Sequence, residues 1–151
     1  MDITIYVDAD ACPVKEEITR VALRHKLPVI MVSNQHMRVP KIPLLQTVIV
    51  PGGLDKADDW IADHIGATDV AITSDIPLAA RCLEKGAKVL GPTGKPFDDD
   101  SIGMALAMRE LNAHLRDTGE ISGHNPSFSK KDRSRFSNVL ENTLQAIKRT
   151  I

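Results

Sequence analysis

The chain is expected to fold as a three-layer α/β/α protein around a central parallel sheet of about five strands. Three observations predict it. Short apolar runs alternate with amphipathic stretches along most of the chain, the signature of repeated βα units. The stretches between the runs carry apolar residues at helical spacing. A length of 151 residues is one domain's worth, enough for a single good core.

The elements follow in order. Ile3–Val7 reads as a buried strand, ending in Asp8-Ala9-Asp10-Ala11-Cys12-Pro13. Pro13–Lys26 reads as a helix with Val14, Ile18, Val21 and Ala22 on one face. Pro28–Val32 and Thr47–Val50 are the next strands. The connection Ser33–Pro43 is long and polar, as a mobile or binding loop would be. Asp55–Ile65 and Ile76–Lys85 are helices, each closed by a glycine, Gly66 and Gly86. Asp69–Thr73 and Ala87–Leu90 are strands, and Gly91–Phe97 is a loop. Ser101–Arg116 reads as a long helix, Thr118–Lys131 as irregular chain. Asp132–Lys148 closes the chain as a helix with Phe136, Val139, Leu140, Leu144 and Ile147 on its apolar face. The expected organisation is one domain over 1–151, with an irregular basic segment and C-terminal helix at 117–151.

Composition narrows the class. The five aromatics (one Trp, one Tyr, three Phe) leave the core to Val, Ile, Leu, Ala and Met. No apolar run reaches the roughly 18 residues of a membrane span, so no membrane partner is expected. Met1-Asp2-Ile3-Thr4 lacks the basic stretch of a signal peptide. Cys12 and Cys82 are too few for a disulfide framework, so a reducing cytoplasm is the expected setting. Net charge is −1, yet residues 1–115 hold 12 Lys/Arg against 16 Asp/Glu, while 116–151 hold 7 against 4. The body is acidic and the tail basic. Aspartate outnumbers glutamate 14 to 6, which favours caps and hard-metal ligands over helix interiors.

The aspartates carry the functional reading. Asp8 and Asp10 follow the first strand; Asp55, Asp58 and Asp59 open the helix after Val48–Gly53. Asp75 follows Val70–Ser74, and Asp98, Asp99 and Asp100 follow the loop after the fifth strand. In a parallel sheet all four groups lie at the carboxyl edge, where open α/β sheets bind ligands. Carboxylates without histidine or cysteine neighbours suit Mg²⁺ or Mn²⁺. Each group also has a structural reading. Asp55 and Asp75 are good helix N-caps, and Asp98–Asp100 reads as a solvated cap. Asp8 is different, because it ends a buried apolar strand, where an unpaired carboxylate is costly. Cys12 reads as a packing residue, since neighbouring aspartates would raise its pKa. His36 and His124 lie in loops within reach of a substrate, whereas His25, His64 and Trp60 sit on helices.

These residues carry a resemblance. Val7–Pro13, Gly52–Ile61, Ile72–Ala80 and the tail Lys131-Asp132-Arg133 to Phe136 resemble the signature blocks of the YaiI/YqxD family of uncharacterised bacterial proteins. That family is in turn similar to the PIN-like superfamily, which includes the NYN nucleases. Asp8, Gly53-Leu54-Asp55 and Ser74-Asp75 match, in order, the acidic blocks of those domains. The resemblance implies a 3-2-1-4-5 parallel sheet and a Mg²⁺/Mn²⁺-dependent phosphodiesterase site. Pro77 stands where those nucleases carry a second acid, which leaves Asp10, Asp59 or Asp98–Asp100 to complete the set.

The expected activity is hydrolysis of nucleic acid, RNA ahead of DNA. Asp8, Asp55, Asp59 and Asp75 would hold metal; Asp8, Asp10, Asp55 and Asp75 would serve catalysis. Ser74, Arg38, Lys41, Lys131 and Arg133 would bind substrate, with Lys95, Lys130 and Arg135 as further basic groups. Two other readings stay open. Asp8-Ala9-Asp10 resembles the Asp-x-Asp block of haloacid-dehalogenase phosphatases, with Asp8 as nucleophile, Asp10 as acid/base and Thr73 or Ser74 on the phosphate. A PIN-like fold kept as a non-catalytic RNA- or protein-binding module is the other. The sequence marks no dimer interface.

Overall fold

The computed structural model describes residues 3–52, 54–104, 107 and 128–150, with the backbone alone at Ala11, Leu54 and Asp55. The sheet strands are β1 (Ile5–Asp8), β2 (Val29–Ser33), β3 (Leu45–Ile49), β4 (Val70–Ile72), β5 (Lys88–Leu90) and β6 (Pro96–Phe97). The helices are α1 (Lys15–His25), α2 (Leu54–His64) and α3 (Ile76–Glu84), a stretch α4 whose described part covers 99–104, and α5 (Lys130–Thr150). A single 3-10 turn, Ala9–Ala11, sits between β1 and α1.

The sheet order is β3-β2-β1-β4-β5-β6. All pairings among the first five strands are parallel, with Ile5 opposite both Val29 and Val70. The expected five-strand order therefore stands, with one addition. Pro96–Phe97, read from sequence as loop, returns antiparallel onto β5, pairing Phe97 with Val89. The hairpin closes through Gly91 N to Lys95 O at 2.9 Å and Gly94 N to Gly91 O at 3.0 Å. A two-residue strand has no alternation to betray it, and the positive φ of Gly94 (+88°) that turns it leaves no periodic trace.

Alternation along the strands builds two cores. Ile5 and Val7 of β1, Val29 and Met31 of β2, and Val70 and Ile72 of β4 face α1 and α5. Tyr6, Val32 and Ala71 face the other way, onto Ala57 and Ile61 of α2 and Leu78, Ala79 and Cys82 of α3. The sheet is thus covered on both faces. The connection 34–44 runs without a helix and packs Met37, Val39 and Ile42 against the α1 core.

Helix ends follow local chemistry. α1 begins at Lys15, after Pro13, and ends at His25, followed by Lys26 in the left-handed conformation (φ 57°, ψ 42°). Lys26 N reaches Leu23 O at 3.1 Å and Leu27 N reaches Ala22 O at 2.9 Å, a Schellman closure with lysine in the place glycine usually holds. α3 closes the same way on Gly86 (φ +84°). Gly66 works otherwise: its N–H donates to Asp69 Oδ2 at 2.8 Å, and its φ is not left-handed. α5 begins at Lys130, two residues ahead of expectation. Ser129 and Asp132 cap it reciprocally, Asp132 N to Ser129 Oγ at 3.1 Å and Ser129 N to Asp132 Oδ2 at 3.0 Å.

α5 lies on α1, with Phe136, Leu140 and Leu144 fully buried. Arg24 and His25 of α1 both bond Glu141, at 3.1 and 2.7 Å. The β5–β6 turn lands on the same helix: a Cβ on Gly94 would stand 3.0 Å from the Phe136 Cα. Apart from residues 101–104 and 107, the predicted helix 101–116 and the irregular segment 118–127, with His124, lie outside the described residues. No helix among the described residues is long and apolar enough to cross a membrane.

Candidate functional site at the carboxyl edge

The chain leaves β1 towards β2 on one side and later returns to β4 on the other. The strand order reverses there, which opens a crevice outside the carboxyl ends of β1 and β4, the usual ligand position in such sheets. Asp8 ends β1, and Thr73-Ser74-Asp75 follow β4. Thr73 Oγ1 donates to Asp8 Oδ2 at 2.9 Å, and the same oxygen accepts from Asp75 N at 2.9 Å. Thr73 is buried and holds the two acids in one frame. Asp75 Oδ1 accepts from Leu78 N at 2.9 Å and caps α3, with Pro77 in the first turn, where its missing N–H costs nothing. The cap reading of Asp75 is correct and compatible with a second role. Among the described residues, Asp8 Oδ1 and Asp75 Oδ2 have no protein donor.

Burial pushes the Asp8 carboxyl above its ordinary range. The Thr73 bond works against the shift, and the charges of Asp75 and Asp10 add to it. Asp8, Cys12, Ile72, Thr73, Ser74 and Pro92 line a tight crevice there. Cys12 is half-buried, and burial raises its thiol, with Asp8 contributing. A resting thiolate nucleophile is therefore not favoured.

Asp10 turns the other way, towards β2. It accepts a short bond from Ser33 Oγ and a 3.0 Å bond from Asn34 N. Ser33 Oγ in turn accepts from Gln35 N at 3.1 Å. Asp10 thus anchors the start of the 34–44 connection. Ser33, the last residue of β2, went unnoticed in the sequence; a serine at that strand's carboxyl end was its only signal.

The remaining acids separate. Asp59, on α2, pairs with Arg81 of α3 at 2.7 Å on the surface. Asp98 and Ser101 cap α4 reciprocally at 2.7 and 2.8 Å, as expected for a solvated cap. Asp55 sits in the first turn of α2, and its side chain lies outside the described residues. Among the described residues no group of three or more His, Cys, Asp or Glu side chains gathers as a ligand set.

The basic candidates also divide. Ser74 and Arg38 are exposed, Ser74 next to the crevice and Arg38 on the connection after β2. Lys41 lies shortly before β3 begins, near the amino edge. Arg133 bonds Pro13 O at 2.7 Å and Glu17 Oε1 at 3.2 Å, which fastens α5 to the start of α1. Lys131 is exposed beside Lys130, Ser134 and Arg135 on α5.

Fold and edge together define an α/β protein with an acidic crevice at the switch point of a doubly wound sheet. The chain belongs to the family described as "Uncharacterized BCR, YaiI/YqxD family", which it matches over residues 6–146. It is similar to a UPF0178 protein of Parvibaculum lavamentivorans, 61% identical over 145 residues, covering 96% of this chain and 95% of that one. UPF0178 proteins of Rhodospirillum rubrum (57% over 146 residues; 96% and 97% covered) and Agrobacterium fabrum (54% over 145 residues; 96% and 95% covered) are similar too. No solved structure matches the chain.

Proposed function

We propose that this chain is a metal-dependent phosphodiester hydrolase acting on nucleic acid, RNA ahead of DNA, with a PIN-like fold over its whole length. One observation carries the reading: a partly buried carboxylate, Asp8, ends the central strand at the switch point and shares Thr73 with a second acid, Asp75. The charge of Asp75 acts on Asp8, and like charges at one crevice favour a compensating cation. The donor set fits Mg²⁺ or Mn²⁺, which take one or two carboxylates and complete their shell with water and substrate phosphate. Asp8 and Asp75 would hold the ion, with Asp55 at the same edge as a third candidate. When bound, it would activate water and offset charge on the phosphoryl group.

The chain's own residues divide the rest of the work. Thr73 orients Asp8 and favours its ionised form. Ser74, exposed beside the crevice, and Arg38, exposed on the connection after β2, would bind the phosphate backbone. Asp59, tied to Arg81, and Asp10, tied to Ser33, support neighbouring elements. Asp10's engagement with β2 weighs against the phosphatase reading, which needs it as acid/base beside Asp8. Two free thiols suit a reducing cytoplasm.

The test is incubation with labelled single-stranded RNA, single-stranded DNA and a phosphomonoester, each with Mg²⁺, Mn²⁺ or EDTA. Metal-dependent internal cleavage, reduced roughly 100-fold or more in Asp8→Asn and Asp75→Asn, is expected. Monoester turnover blocked by beryllofluoride would replace the nuclease with the phosphatase. Nucleic-acid binding without turnover would leave a binding module.

A further inference from the structure

A recess lies beside α1, away from the Asp8 crevice. Lys15, Glu16, Thr19, Arg20 and Leu23 of α1 form one wall, Arg38, Val39 and Pro40 another, and Met31 the floor. Its volume of about 500 Å³ lies within the roughly 300–1,000 Å³ of small-molecule sites.

Three cations line it: Lys15, Arg20 and Arg38. Among the described residues Arg20 and Arg38 form no ion pair with a carboxylate, in contrast to Arg24, Arg81, Arg133 and Arg135. Glu16 on the rim offsets one charge. The floor is apolar, with Met31 buried, and the wall adds Leu23, 41% exposed. Positive walls over an apolar floor suit an anion with a flat, weakly polar body.

The recess borders a second hollow at the start of α1. Cys12 lines both the Asp8 crevice and that hollow, which shares Lys15 and Glu16 with the recess. Asp10, through Ser33 and Asn34, pins the connection that carries Arg38.

We propose that this recess holds one nucleotide of a single strand whose cleaved phosphate lies at Asp8. The proposal rests on the hydrolase reading and adds a substrate form to it. Lys15, Arg20 and Arg38 take the flanking phosphates. The base rests on Leu23, Val39 and Pro40, with a guanidinium against its face. A base can enter only when unstacked and unpaired, so the site selects single strands over duplex.

The test is fluorescence anisotropy in EDTA with a labelled single-stranded RNA 10-mer, comparing the wild type with the Arg20→Ala/Arg38→Ala double variant. Both side chains are exposed, so the fold should survive, and circular dichroism checks it. Affinity should fall about tenfold, and the log–log salt slope should shrink by about 1.4, two phosphates at roughly 0.7 each. With Mg²⁺ or Mn²⁺, KM should rise while kcat stays near wild type. Blunt duplex RNA and inorganic polyphosphate should bind the wild type more weakly than the 10-mer. Unchanged affinity in the double variant, or equal binding of polyphosphate, would overturn the inference. Binding lost in the variant of a protein that cleaves nothing would keep the recess and remove the hydrolase. Cleavage with binding insensitive to both arginines would do the reverse.

Discussion

Asp8→Asn should make the protein more stable and inactive at once. The substitution keeps an acceptor for Thr73 Oγ1, now 2.9 Å from Asp8 Oδ2. It removes the charge that burial disfavours and that Asp75 and Asp10 oppose. Each unit of pKa displacement is worth about 1.4 kcal/mol. Asp8 keeps some exposure, and a charge-assisted bond becomes a neutral one, so a net gain of about 1 kcal/mol is expected at neutral pH. For a domain of this size that is a Tm rise of roughly 2–4 °C. The pH dependence gives the sign. Asp8 in the folded state has a pKa above its unfolded value. Between the two values the folded state binds more protons, so wild-type stability falls as pH rises through this window. The variant lacks that fall. Melts of both proteins in EDTA from pH 3 to pH 8 should therefore coincide most closely in acid and diverge towards neutral pH, while the other carboxylates cancel in the difference. Adding Mn²⁺ at neutral pH should raise the wild-type Tm and leave the variant's unchanged. A variant less stable than wild type at neutral pH, or a difference independent of pH, would refute the account of Asp8 as a destabilising, ligand-seeking charge.

Thr73→Val removes the hydroxyl that serves both acids and should cost about 1–2 kcal/mol in urea unfolding. It should also move divalent-ion binding, followed by titration calorimetry, to higher pH, because the charged form of Asp8 loses its one hydrogen-bonding support. Gly94→Ala combines a left-handed φ with a Cβ 3.0 Å from the Phe136 Cα and 3.1 Å from the Arg135 carbonyl; a loss of roughly 2–4 kcal/mol is expected, and a Tm within a degree of wild type would contradict the docking of the hairpin on α5. Lys26→Gly relieves the left-handed lysine at the end of α1 and should stabilise by up to about 1 kcal/mol; a lower Tm would show that the lysine side chain holds that corner in another way.

The five parallel strands were legible in the sequence because each βα unit declares itself locally, whereas their order came from the family likeness. Ile5 and Val7 against Tyr6, or Met31 against Val32, sort to opposite faces by a two-residue period alone. The site was legible only to the level of an edge. Asp8, Asp10, Asp59 and Asp75 look alike in sequence, as acids following strands or opening helices. Their roles part because Thr73 reaches Asp8 across 65 positions, Ser33 reaches Asp10 across 23, and Arg81 reaches Asp59 across 22. Arg133 reads as a free cation in a basic tail, yet it is spent on Glu17, 116 positions away.

By itself the sequence determined the α/β class, the caps at Asp75 and Asp98 and the gathering of the acids at one edge. The reason is topological: parallel strands all end on the same side, wherever they lie in the sheet. Tertiary structure alone decided which acid faces the crevice, which cations are consumed in pairs and which remain around the recess beside α1. Those outcomes depend on packing helices whose partners are far apart along the chain, and no local pattern carries that information.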